Sequence, residues 1–194
     1  MEHLNLEFVW DLDIVLMEDL SLHILDIAEN SIDAGACRIE IIISDSRLED
    51  TFMLRIKDNG KGMDEETVRK IRDPFFTTKT ARRFGLGIPL LAQSAEESGG
   101  GLSIDSRQGK GTTITAEFRR SHIDRKPMGD IGATMMILIG GHPETDFSLD
   151  YSADGCSYRF DSAALKKELD GVPVNLPDIL KLIRDDINEA LRGR

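Results

Sequence analysis

Twice in its first 120 residues the chain runs from an amphipathic helix through a glycine stop into two strands of strict period-two alternation. No other feature restricts the fold as much. In the first pass, residues 20–34 (LSLHILDIAENSIDA) read as a helix. Ile24, Leu25, Ile27, Ala28 and Ile32 form its apolar side, and Asp26, Asn30 and Asp33 share the opposite face. Gly35 stands where a helix stop belongs. Strands follow at Cys37–Ser44, with Ile39, Ile41 and Ile43 alternating, and at Thr51–Lys57, with Phe52, Leu54 and Ile56 alternating. In the second pass a helix runs from about Leu86 to Ser98, with Pro89 in its first turn and Gly99-Gly100-Gly101 at its end. It leads into strands Leu102–Ser106 and Thr112–Phe118. Between the passes lie a glycine turn, Asp58-Asn59-Gly60-Lys61-Gly62-Met63, a short helix at Asp64–Ile71, and an irregular basic stretch at 72–85.

The rest of the chain is less constrained. Residues 1–17 alternate Leu4, Leu6, Phe8, Trp10 and Leu12 with acids, which reads as an edge strand or an N-terminal extension. Residues 119–127 are polar and mark a boundary, leaving 18–120 as one domain and 128–194 as a C-terminal α+β region. There, Ile131–Ile139 is apolar throughout and fits either a helix or a strand. Asp146–Tyr151 and Cys156–Phe160 flank an Asp154-Gly155 hairpin signal. Ser162 reads as the cap of a short helix ending at Gly171, and Pro177 opens a last amphipathic helix.

Charge and composition narrow the function. The net charge of −11 repels phosphate backbones, so nucleic acid is not an expected partner. No stretch approaches the roughly 20 apolar residues of a membrane span, and the acidic N-terminus lacks signal-peptide features. Cys37 and Cys156 are far apart and form no CxxC pair, which fits a reducing cytoplasm better than a disulfide framework or a zinc site. An anionic ligand must be held here by local features.

Four such features are present. On the helix at 20–34, Asn30 offers a neutral oxygen suited to a hydrated magnesium ion, and Asp26 can accept a proton from water. Taken alone, ordinary solvated surface is the plainer reading of this face. In DNGKG at 58–62, the glycines let a flat ligand approach the backbone, and Asp58 can accept a hydrogen bond from an exocyclic amine; an ordinary turn is the plainer reading. TTK at 77–79 and GLG at 85–87 open a helix, whose free N–H groups suit phosphate, with Lys79, Arg82 and Arg83 adding cations; a flexible surface loop is the plainer alternative, and the phosphate reading stands slightly ahead of it. GKGT at 109–112 joins two strands.

In this order and spacing the motifs resemble the GHKL superfamily, which includes histidine-kinase catalytic domains, MutL, DNA gyrase B and the ninety-kilodalton heat-shock chaperone. DPFFTTK…GLGIPLL…GGGLSIDSRQGKGTTITAEF is most similar to a histidine-kinase catalytic domain, and DIAENSIDAGA to the matching helix of MutL. The resemblance covers about residues 18–119. It implies an α+β fold: a two-layer sandwich with a mixed, mainly antiparallel sheet covered by helices on one face, plus a small C-terminal α+β appendage. It implies ATP and magnesium as ligands. Asn30 then coordinates the metal, Asp58 binds the adenine amine, Gly60, Gly62 and Met63 shape the pocket wall, and Thr112 supports the adenine through water. Gly85, Leu86 and Gly87 contact phosphate, and Lys79 lies in the lid.

Asp26 stands where the ATPase branch carries a catalytic glutamate and is one methylene shorter. His23, one turn earlier, reads as a structural histidine or as a partner of Asp26. Only about 17 residues precede the first motif, too few for the phospho-accepting helical hairpin of a histidine kinase, so autophosphorylation in the usual manner is not expected. The lid between Lys79 and Gly85 is short. Residues 142–155 faintly resemble the MutL segment where a helix leads into a hairpin; the plainer reading is a region that packs on the ATP domain or binds another protein. His122 and His142 show no metal-ligand spacing. The expected functions, in order, are a slow ATPase acting as a nucleotide-controlled switch, a kinase acting in trans on a partner protein as anti-sigma-factor kinases do, and a non-catalytic ATP-sensing module.

Overall fold

Period-two alternation builds the centre of the molecule. In the computed structural model, which describes residues 18–71 and 87–192, six strands form one sheet: β1 (Arg38–Ser46), β2 (Thr51–Asp58), β3 (Gly101–Arg107), β4 (Gly111–Arg119), β5 (Asp146–Ala153) and β6 (Cys156–Asp161). Their order is β3-β4-β2-β1-β5-β6. All neighbours are antiparallel except β1 and β5, which run parallel. The registers Ile41↔Ile56, Ile56↔Ile114 and Ile41↔Leu149 place the alternating apolar residues of four strands on one face. Ile39, Ile41, Ile43, Leu54, Ile56, Phe118, Phe147 and Leu149 are all buried there. On the opposite face Glu40 pairs with Lys57 across to β2 and with Arg38 along β1.

Helices cover the apolar face: α1 (Leu20–Asp33), α2 (Glu65–Lys70), α3 (Gly87–Glu97), α4 (Ile131–Gly141), α5 (Ser162–Glu168) and α6 (Pro177–Arg192). The central helix α1 buries Leu20, Ile24, Ile27 and Ala28. Its N-cap is Asp19, whose Oδ1 accepts the Leu22 N–H at 3.2 Å and the Ser21 hydroxyl at 2.7 Å. Asp19→Ala is expected to lower stability by about 1 kcal/mol in denaturant unfolding, the usual effect of losing a helix cap. None of the helices among the described residues is long and apolar enough to cross a membrane.

The C-terminal residues extend this architecture. The all-apolar stretch at 131–139 is helix α4, packed against α1 and α6; its burial has helical spacing, but its outer face, with Met136 and the half-exposed Ile137, is apolar too. Asp154 and Gly155 both have positive φ, the geometry of the expected tight hairpin. One expectation is corrected: Ser162 does not cap α5. Asp161 does, accepting the Ala163 N–H at 2.8 Å, while the buried Ser162 hydroxyl accepts the Phe147 N–H. Residues 1–17, including the suggested edge strand, lie outside the described residues.

Candidate functional site

The strand pattern that builds the core also delivers Asp58. Phe52, Leu54 and Ile56 point into the helix layer, and Asp58 continues their period of two at the end of β2. Its register partner on β4 is Thr112, whose own partner on β3 is Ser106. Three polar side chains therefore stand in a row where the apolar stripe ends. Asp58 Oδ1 accepts the Gly60 N–H at 2.8 Å and the Thr112 N–H at 3.3 Å. Its Oδ2 accepts from Ser31 Oγ of α1 at 3.1 Å, and that hydroxyl also lies 3.0 Å from the Ile27 carbonyl. Ser106 Oγ is 2.9 Å from Thr112 Oγ1 and accepts the Met63 N–H at 2.9 Å.

Two glycines let these turns close. Gly62 (φ +64°) lies so close to β3 that a Cβ would stand 2.0 Å from the Arg107 carbonyl oxygen. Gly111 (φ +85°) makes the same approach to the Asp58 carbonyl oxygen, also at 2.0 Å. Both combine a left-handed backbone with contact to main chain, which only glycine accommodates. Gly60 is less constrained, with a Cβ position 3.0 Å from the Ala34 carbonyl oxygen.

One residue before Ser31, the second half of the site begins. Asn30 Nδ2 donates to Asp26 Oδ2 at 3.1 Å. The start of α3 packs against this pair: a Cβ on Gly87 would fall 1.9 Å from the same Asp26 oxygen. Asn30 and Asp26 are both partly buried. His23, a turn before Asp26, is fully buried and sits 3.3 Å from the Gly87 carbonyl oxygen through Nδ1. Burial, with the charge of Lys126, lowers its pKa from 6.5 to about 4, so its ring is neutral at pH 7.

The structure thus brings Asp26, Asn30, Asp58, Gly60, Gly62, Met63, Gly87 and Thr112 along one side of α1 and the adjoining strand ends. Lys79, Gly85 and Leu86, with Arg82 and Arg83, lie outside the described residues. Two members escaped the sequence reading. Ser31 adjoins Asn30 within DIAENSIDAGA, and Ser106 stands opposite Thr112 across the hairpin. Helical adjacency and hairpin register were the available signals.

Comparison with known proteins places this arrangement. Residues 17–122 match the model of a family described as histidine kinase-, DNA gyrase B- and HSP90-like ATPase. Sporulation kinase C of Bacillus subtilis (strain 168) is 33% identical over 90 residues, 46% of this chain and 21% of that protein. Sensor protein SrrB of Staphylococcus aureus (strain NCTC 8325 / PS 47) is 32% identical over 111 residues, 55% of this chain and 18% of that one. The chain therefore spans about a fifth of the length of these curated relatives. Among solved structures, the N-terminal domain of a DNA repair protein aligns with a TM-score of 0.49 and 17% identity, covering 74% of this chain and 51% of that one.

Proposed function

We propose that this chain, which belongs to the histidine kinase-, DNA gyrase B- and HSP90-like ATPase family and carries its ATP-binding domain, binds ATP with magnesium and acts as a slow ATPase or nucleotide-controlled switch. One observation carries the reading. Polar contacts run from Thr112 through Asp58 to Ser31 and from the neighbouring Asn30 to Asp26, against whose carboxylate the Gly87 backbone packs closely. An adenine-reading end and a phosphate-reading end thus share one helix.

The residues fit the ligand. Asp58 uses three acceptor positions on protein donors, and a carboxylate offers about four, so one remains for an exocyclic amine. Gly60 and Thr112 donate to that carboxylate, and Gly62 and Met63 follow in the same turn, against Arg107 and Ser106 of β3. Asn30 directs its amide nitrogen to Asp26, and its oxygen has no hydrogen bond among the described residues. A neutral oxygen presented in this way suits magnesium. When bound, the metal offsets phosphate charge in a chain that is itself strongly acidic. Asp26, oriented by the Asn30 amide, is placed to orient a water and accept its proton. Lys79, Gly85 and Leu86 are assigned to the lid and phosphate contacts with Gly87.

A second reading, phosphate transfer to a partner protein bound through the C-terminal region, is favoured by the kinase relatives. Incubation with radiolabelled ATP and magnesium, with and without cell lysate, separates the readings. Free phosphate that disappears in Asp26→Asn supports hydrolysis. A labelled second protein supports transfer. Binding with neither product leaves an ATP-sensing module, and absence of binding rejects the assignment. Asn30→Ala is expected to weaken magnesium-dependent binding about 10- to 100-fold by titration calorimetry, the scale of one charge-assisted contact. Asp58→Asn should impair ATP binding and leave any weak GTP binding unchanged; equal loss for both contradicts the adenine role.

A further inference from the structure

His23 has no part in the chemistry above, yet both its ring nitrogens have polar neighbours in the interior. Nδ1 lies 3.3 Å from the Gly87 carbonyl oxygen, and Nε2 lies 3.5 Å from Lys126 Nζ. An ammonium group can only donate, so Nε2 is the acceptor. A neutral imidazole then carries its proton on Nδ1, which donates to Gly87. The neighbours fix the tautomer and give the chain of contacts a direction, from Lys126 through His23 to Gly87.

Each end of this chain of contacts is anchored. At one end the Gly87 backbone rests on the Asp26 carboxylate, which accepts from Asn30. His23, Asp26 and Asn30 stand at i, i+3 and i+7 on α1 and share a face. At the other end the segment around Lys126 is seated on the start of α1. The Pro127 carbonyl accepts the Leu20 N–H at 2.9 Å. The Arg125 guanidinium lies 5.0 Å from the centre of the Phe52 ring. Gly129 approaches the Asp19 cap so closely that a Cβ would meet its carboxylate at 2.4 Å. This segment leads directly into α4, so the C-terminal elements and the phosphate end meet at one buried side chain. A buried imidazole that lost either partner would leave a polar group unsatisfied, which gives the arrangement its rigidity.

We propose that His23 is a positioning residue of the nucleotide site: it donates through Nδ1 to the Gly87 carbonyl and holds Gly87 against Asp26, while Lys126 on the other side of the ring keeps the proton on Nδ1. The proposal rests on reading Asp26, Asn30 and Gly87 as the phosphate end. Two amide substitutions divide the functions of the ring. Asparagine puts its nitrogen near the Nδ1 position and falls short of Lys126. Glutamine reaches the Nε2 position and leaves the Gly87 carbonyl without its donor.

The test uses the full chain. With magnesium and ATP, His23→Asn should retain turnover within about twofold and His23→Gln should lose about tenfold, the effect of one hydrogen bond. A merely structural role predicts that turnover follows the loss in melting temperature in both variants, and that result overturns the proposal. Two measurements without nucleotide keep it separable from the ATP assignment. In the wild-type chain, the ring nitrogen shifts of His23 should report a protonated Nδ1 and a bare Nε2; the opposite tautomer refutes the proposal. The amide resonance of Ile88, which shares a peptide bond with the Gly87 carbonyl, should move in His23→Gln and stay in His23→Asn. An unmoved Ile88 in His23→Gln refutes it as well. If the wild type fails to bind ATP while these spectra behave as described, the functional reading falls and the positioning of Gly87 stands.

Discussion

Alanine at position 111 is expected to destabilise the protein by roughly 2–5 kcal/mol and to disable its nucleotide site. Two effects add. The backbone of Gly111 is left-handed, at φ +85°, and an L side chain there costs about 1–2 kcal/mol. The new Cβ would also lie 2.0 Å from the Asp58 carbonyl oxygen and 2.9 Å from the Asn59 Cα. Both are main-chain atoms, so no rotamer relieves the clash. The start of β4 must move away from the end of β2, at the very point where the Thr112 N–H reaches Asp58 Oδ1. Gly35 supplies the control. It has a comparable φ of +80° with nothing within 4 Å of its Cβ position. Gly35→Ala should therefore show only the conformational part, about 1–2 kcal/mol, with ATP affinity intact. Urea unfolding and nucleotide titration on both variants measure the difference. Equal destabilisation by the two substitutions would mean that the close approach of β4 to β2 carries no energy.

The contrast between these glycines marks what a linear sequence conveys. Both read as turn residues from their neighbours, but only the folded chain shows that one faces solvent and the other a strand. The same limit runs through the molecule. Strands β1 to β4 were legible because each alternates with a period of two, and α1 and α3 because their apolar residues recur at helical spacing. Helix α4 was ambiguous since its outer face, with Met136 and the half-exposed Ile137, is as apolar as its buried one, and the sequence therefore carries no period. The hairpin at Asp154-Gly155 was legible from local turn chemistry, whereas the parallel pairing of β5 with β1 joins residues more than 100 positions apart and leaves no local trace. In the candidate site, the motifs pointed to Asp58 and Asn30, and the period of two in β2 carries Asp58 to the helix side. Ser31 as the link between the two halves required the packing of α1 on the sheet.

The long-range contacts of His23 carry the second large expected effect. Lowering the pH from 7 to 4.5 should reduce stability by roughly 2–3 kcal/mol through this residue alone. Its pKa is about 4 in the folded chain against an ordinary value of 6.5. Removal from water is the main cause, Lys126 adds to the depression, and the Gly87 carbonyl and Asp19 oppose it. Above pH 6.5 the ring is neutral in both folded and unfolded states and contributes nothing to pH dependence. Between 6.5 and 4 the unfolded chain binds a proton that the folded chain refuses, so stability falls as pH falls. Asp50, Asp64, Asp130 and Asp161 have pKa values below their ordinary 3.8, because hydrogen bonds and nearby cations favour their charged forms. Their stabilisation is lost only at pH values beneath this range. Denaturant unfolding of the wild type and of His23→Gln at pH 7 and pH 4.5 isolates the contribution. The variant starts less stable, since Gly87 loses its donor, but the difference between its two pH values should shrink by the same 2–3 kcal/mol. An undiminished difference would mean that His23 takes up its proton in the folded chain as readily as in the unfolded one, and its ring could not then be the neutral, singly protonated bridge between Lys126 and Gly87.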